Sequence, residues 1–127
     1  GYPGPVTLYY GDEFADLSRD CEGAQPDNAS RTGGHLSPDD DRERRLHDYV
    51  RKVMMFRRDN PAMWRGRQEF DRYRLDDAEI LVVLKHDDDT GNRVAMVFAD
   101  RDASVTIPGT DSPIDVKGYI PELVRLS

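Results

Sequence analysis

Two carboxylates, Asp12 and Glu13, close the segment Gly4-Pro5-Val6-Thr7-Leu8-Tyr9-Tyr10-Gly11-Asp12-Glu13. Residues 6–10 form a short apolar run between Gly4-Pro5 and Gly11-Asp12. With no polar face to alternate with, the run reads as a strand buried on both sides. In parallel α/β folds, groups that face a ligand stand just past the C-terminal ends of strands. Asp12 and Glu13 occupy that place. Pro26-Asp27 on its own reads as an ordinary turn. Two aspartate-rich runs, Asp39-Asp40-Asp41 and Asp87-Asp88-Asp89-Thr90-Gly91-Asn92, invite a cation. Calcium takes about six to eight oxygen ligands from a wrapping loop. The second run places its glycine one position early for the helical calcium loop and has no matching glutamate. A solvated first helical turn and a polar hairpin turn explain both runs better. His35, His47 and Cys21 have no chemical company in sequence. They read as a loop histidine, a surface histidine and a bystander thiol.

These residues need elements to position them. Residues 14–36 are loop-like, broken by Gly23, Pro26, Asn28, Gly33 and Gly34. A connection of that length is usually functional or disordered. Ser37-Pro38-Asp39-Asp40 is a helix start, with Ser37 as N-cap, Pro38 in the first turn and acidic residues at the positive end. Leu46, Tyr49, Val50, Val53, Met54 and Phe56 then recur near helical spacing as one apolar stripe. Arg57 and Arg58 suit the C-terminal end, and Asn60-Pro61 stops the helix.

After Arg67 the period changes. Phe70, Tyr73 and Leu75 mark a loosely alternating strand. Residues 80–84 and 94–98 are apolar strands flanking the turn at 87–92. Residues 104–107, 114–116 and 123–126 supply the rest. Short strands separated by regular turn signals describe an antiparallel sandwich. Alternation predicts a core of Leu81, Val83, Val94, Met96, Phe98, Val105, Ile107, Val116 and Leu123.

Composition bounds the function. The 127 residues carry 18 basic and 25 acidic side chains, for a net charge of −7. That balance argues against nucleic acid, which calls for a basic patch. The lone Cys21 cannot form an internal disulfide, so oxidising export gains no support. No apolar run has the length of a transmembrane helix, and no signal peptide is visible. A cytoplasmic location is the expectation. A chain of this length buries roughly two-thirds of its unfolded surface, but a (β/α)8 barrel needs about 250 residues.

The N-terminal segment resembles the eighth barrel strand of the α-amylase family, glycoside hydrolase family 13. Gly4, Tyr10, Gly11, Asp12 and Glu13 fit that motif; its proline is displaced to Pro5, with Val6 in the family position. Pro26-Asp27-Asn28 is similar to the centre of the family's Asp-Pro-x-Asn-Arg motif, whose Asp and Arg bond a sugar near the cleavage point. Here those positions hold Gln25 and Ala29, and Arg31 lies two residues on. Residues 56–66, Phe-Arg-Arg-Asp-Asn-Pro-Ala-Met-Trp-Arg-Gly, resemble the end of the family's last barrel helix. The resemblance implies an α+β chain. Residues 1–65 are then the last strand and helix of a (β/α)8 barrel, and residues 66–127 a small antiparallel β-sandwich. It implies a parent acting on α-glucosidic bonds, by hydrolysis or transfer, with an α-glucan or oligosaccharide as partner and no cofactor or metal. The family's catalytic carboxylates come from earlier barrel strands, so this chain holds no catalytic residue. Gln25, Asp27, Asn28 and Arg31 are its candidate substrate contacts. Deprived of a barrel, the helix stripe and the strand edges would favour self-association. Two other readings stay open. One is a non-catalytic sugar-binding sandwich using Trp64 or Tyr119, with Trp64 better explained as packing between helix and sandwich. The other is an inactive barrel relative kept for interaction, consistent with Gln25 and Ala29.

Overall fold

A computed structural model describes residues 40–127. The strand at 6–10, the loop at 14–36 and the Ser37 cap lie outside the described residues. Two compact units divide at Phe56, and each is taken by itself.

The first unit contributes most of helix α1, Asp41–Asp59. The described helix starts on an aspartate: the Asp40 Oδ1 accepts the Glu43 backbone N–H at 2.8 Å. This satisfies a donor that a helix start otherwise leaves unpaired. The same bond holds the Asp40 carboxyl below its ordinary value. Asp41 pairs with Arg44 at 2.7 Å. Asp40 and Asp41 of the first aspartate run thus serve helix initiation. Leu46, Tyr49, Val50 and Val53 are half-buried, and no residue of α1 is fully buried. No helix among the described residues is long and apolar enough to cross a membrane.

The second unit is an antiparallel β domain entered through a one-turn helix, α2, Ala62–Arg65. Strands β1 (Arg67–Leu75), β2 (Ala78–His86), β3 (Arg93–Ala99) and β6 (Glu122–Arg125) form a four-stranded sheet in the order β1-β2-β3-β6. Strands β4 (Ala103–Val105) and β5 (Ile114–Val116) form a two-stranded sheet. All pairings are antiparallel. The β1–β2 hairpin turns on Asp76-Asp77, with Asp76 at φ 52°. Aspartate is among the few non-glycine residues that tolerate this region.

The central strands β2 and β3 bury residues on both faces, and this corrects the single core expected from alternation. Ile80, Val82, Ala95 and Val97 pack with Val105, Ile107 and Val116 between the two sheets. Val83, Val94 and Met96 point the other way and pack with Ala62 and Met63, joined by partly buried Phe56, Leu81, Phe98 and Leu123. The expected core residues therefore split between two clusters, and Leu81, Phe98 and Leu123 are only half-buried. The central strands are apolar on both faces because both are covered. On the edge strand, Phe70 faces away from Tyr73 and Leu75 and is 64% exposed.

Candidate functional site

Gln25, Asp27, Asn28, Arg31, Gly4, Tyr10, Gly11, Asp12 and Glu13 all lie outside the described residues, as do Cys21 and His35. The described residues offer two arrangements with chemical content.

The first is the junction from Phe56 to Gly66. Asn60 turns the chain: its Nδ2 donates to the Phe56 carbonyl at 2.8 Å, and its Oδ1 accepts from Asn92 Nδ2 at 3.1 Å. Asn92 Oδ1 accepts the Ala62 N–H, and its Nδ2 also donates to the Ser127 carbonyl, both at 3.1 Å. The Met63 carbonyl receives Arg57 Nη1 and Lys85 Nζ, each at 2.8 Å. Arg65 Nη2 reaches Asp87 Oδ2 at 2.8 Å. The Thr90 hydroxyl donates to the same oxygen. Those bonds, Thr90 first and then Arg65, hold the Asp87 carboxyl low. The backbone closes the turn through Asp87 N–H to the Asn92 carbonyl at 2.9 Å and Gly91 N–H to the Asp87 carbonyl at 2.8 Å. The second aspartate run is thus a hairpin turn. No group of three His, Cys, Asp or Glu able to hold a metal occurs among the described residues.

Trp64 does not pack as expected. Met63 fills the core at 1% exposure, while Trp64 is 42% exposed with the Arg65 guanidinium 5.2 Å from its ring centre. One turn of helix presents successive residues about 100° apart, so burying Met63 turns its neighbour outward.

The second arrangement surrounds Tyr119. The Ile120 N–H closes a turn onto the Lys117 carbonyl at 3.1 Å, and Tyr119 holds the third position at φ 63°. Glycine or asparagine ordinarily occupies that position. A left-handed conformation costs a side-chain-bearing residue about 1–2 kcal/mol. The chain nevertheless spends its glycine one residue earlier. A Cβ at Gly118 would lie 2.8 Å from Arg101 Cα, so only glycine fits there. Asp102 clamps the turn, Oδ1 accepting the Gly118 N–H at 3.0 Å and Oδ2 the Lys117 ammonium at 2.7 Å. The Tyr119 N–H binds the Ala99 carbonyl at 2.9 Å. A fixed backbone thus carries a ring that is 85% exposed.

Beside it is a cavity of about 540 Å³, lined by Leu81, Phe98, Tyr119 and Pro121 and by Arg72, Glu79 and Asp100. Arg72 Nη2 meets Glu79 Oε2 at 2.7 Å. Asp100 Oδ1 accepts the Glu79 N–H at 2.9 Å, which holds the Asp100 carboxyl low. Sequence reading offers Tyr119 as a sugar contact, takes Leu81 and Phe98 for core, and does not single out Arg72, Glu79, Asp100 or Pro121. They come from four different segments, and only strand register brings Arg72 opposite Leu81 and Leu81 opposite Phe98.

No protein-family model, curated protein or solved structure matches the chain.

Proposed function

We propose that the chain is the C-terminal portion of an α-amylase-type glycoside hydrolase or transglycosidase acting on α-glucosidic bonds, and that it is inactive by itself. The junction carries this reading. Residues 56–66 resemble the end of the family's last barrel helix, and in this chain they end a long helix and lead directly into an antiparallel β domain. That order of helix, Asn-Pro turn and β domain supports the resemblance independently of the N-terminal motif. On this reading Gly4 and residues 10–13 shape the end of the barrel. Gln25, Asp27, Asn28 and Arg31 stand near the bound sugar. A nucleophile and an acid/base carboxyl, both supplied by earlier strands, work through a covalent glycosyl intermediate. The stripe Leu46, Tyr49, Val50 and Val53 is then the helix face turned to the barrel, and the isolated chain self-associates through it.

The reading frame upstream of Gly1 tests this. The proposal expects most of a barrel of about 250 residues in all, with carboxylates at strand ends. A start codon only a few codons before Gly1 contradicts it.

A further inference from the structure

We propose that the cavity beside Tyr119 is a saccharide-binding site, taking one ring of a neutral oligosaccharide on the β domain. Its residues all lie on the β domain and do not depend on the α-amylase reading.

Three observations carry it. First, Tyr119 sits where glycine would be easier, yet its ring is 85% exposed and gains little from burial in return. Backbone strain held in place by surrounding contacts is a mark of functional positions. Here the contacts are the Asp102 clamp and the Ala99 bond. They fix the backbone and leave the ring outward.

Second, the cavity combines an apolar floor with a polar rim of both signs. Leu81, Phe98 and Pro121 supply the floor; Arg72, Glu79 and Asp100 supply the rim. A pyranose has a face of C–H groups that stacks on an aromatic ring and an equator of hydroxyls that donate and accept. Guanidinium and carboxylate groups together match that equator. The rim's charges are paired, Arg72 with Glu79 at 2.7 Å and Asp100 with Arg101 at 3.5 Å, which favours a neutral ligand over a strongly charged one.

Third, the volume is in the range of small-ligand sites, and the platform continues. Phe70, 64% exposed, lies on the same sheet face two residues along β1 from Arg72, opposite Val83. A second exposed aromatic on one face suits an oligosaccharide better than a single sugar.

The test uses the full 127-residue chain, labelled with 15N and titrated separately with maltoheptaose and cellohexaose, with choline as a cationic control. The expected result is saturable shifts at the amides of Arg72, Leu81, Phe98, Asp100 and Tyr119 with at least one oligosaccharide. Tyr119→Ala weakens binding about tenfold or more, while Tyr119→Phe, which keeps the stacking face, stays within about threefold. Tyr119→Gly is decisive, because it keeps the turn while deleting the ring. It is expected to melt no lower than the parent and to bind as weakly as Tyr119→Ala. Binding of cellohexaose alone supports the site and counts against an α-glucan-acting parent. Absence of shifts with both oligosaccharides at millimolar concentration overturns the proposal. So do shifts of these amides by choline in place of the sugars, or parental affinity in Tyr119→Gly.

Discussion

The ammonium of Lys85 donates to the carbonyl of Met63 at 2.8 Å, from a side chain only 1% exposed. A charged residue in the middle of the sheet thereby serves the last turn of α2. The Arg57 guanidinium shares that carbonyl. Burial first, and then the charge of Arg57, push the Lys85 ammonium below its ordinary value of 10.5.

The sign of the pH effect follows. Between the lowered folded value and 10.5, the unfolded chain holds more protons than the folded one, so stability rises with pH across that window. Lys85→Met keeps the packed stem and removes the charge. Thermal melts of both proteins at neutral and alkaline pH are expected to show the parent gaining on the variant as pH rises. A constant difference would contradict a strained ammonium. Lys85→Ala, which also removes the stem, is expected to cost about 2–4 kcal/mol.

Asp87 responds in the opposite direction. Its side chain is 5% exposed, and hydrogen bonds from Thr90 and then Arg65 lower its proton affinity in the fold. Its contribution is complete above the unfolded value near 3.8 and fades as pH falls through the lower folded value. Asp87→Asn is expected to lower the melting temperature at neutral pH and to flatten the loss on acidification. An acid limb identical to the parent's would show that the carboxylate is idle.

Asn92 ties three segments together through Ala62, Asn60 and Ser127. Its removal strands buried partners as well as losing bonds. Asn92→Ala is expected to cost about 2–4 kcal/mol, read as a lower urea midpoint with an unchanged slope.

Particular residues show how much of this was legible. Residues 80–84 and 94–98 were clear strands because apolar runs between turn residues have few other readings. The turn at 87–92 was clear because aspartate, threonine and glycine suit tight reversals. The division of the core was not legible. A strand with no alternation does not say which of Val82 and Val83 faces which neighbour. Lys85 was illegible for a related reason: lysine is rarely buried, and the bond to the carbonyl of Met63 comes from 22 residues away. For Tyr119, the residue type suggests an exposed ring, but the strain that gives it meaning depends on Gly118 meeting Arg101. The candidate sugar contacts at 25–31 rest on sequence resemblance.

The two faces of the sheet give a matched pair of substitutions. Ile80 is fully buried between the sheets, whereas Phe70 is largely exposed. Ile80→Ala is expected to cost about 2–5 kcal/mol, and Phe70→Ala to stay within about 0.5 kcal/mol. Chemical denaturation of both checks the assignment; equal effects would contradict the register of β1 on β2.

Release of reducing sugar from maltooligosaccharides, measured side by side for the complete gene product and for this 127-residue chain, tests the α-amylase reading most directly. The expected result is activity in the complete protein and none in the chain, because on that reading both carboxylates of the mechanism come from earlier barrel strands. Activity in the purified chain, or a complete protein with neither hydrolytic nor transfer activity on α-glucosidic bonds, would contradict it.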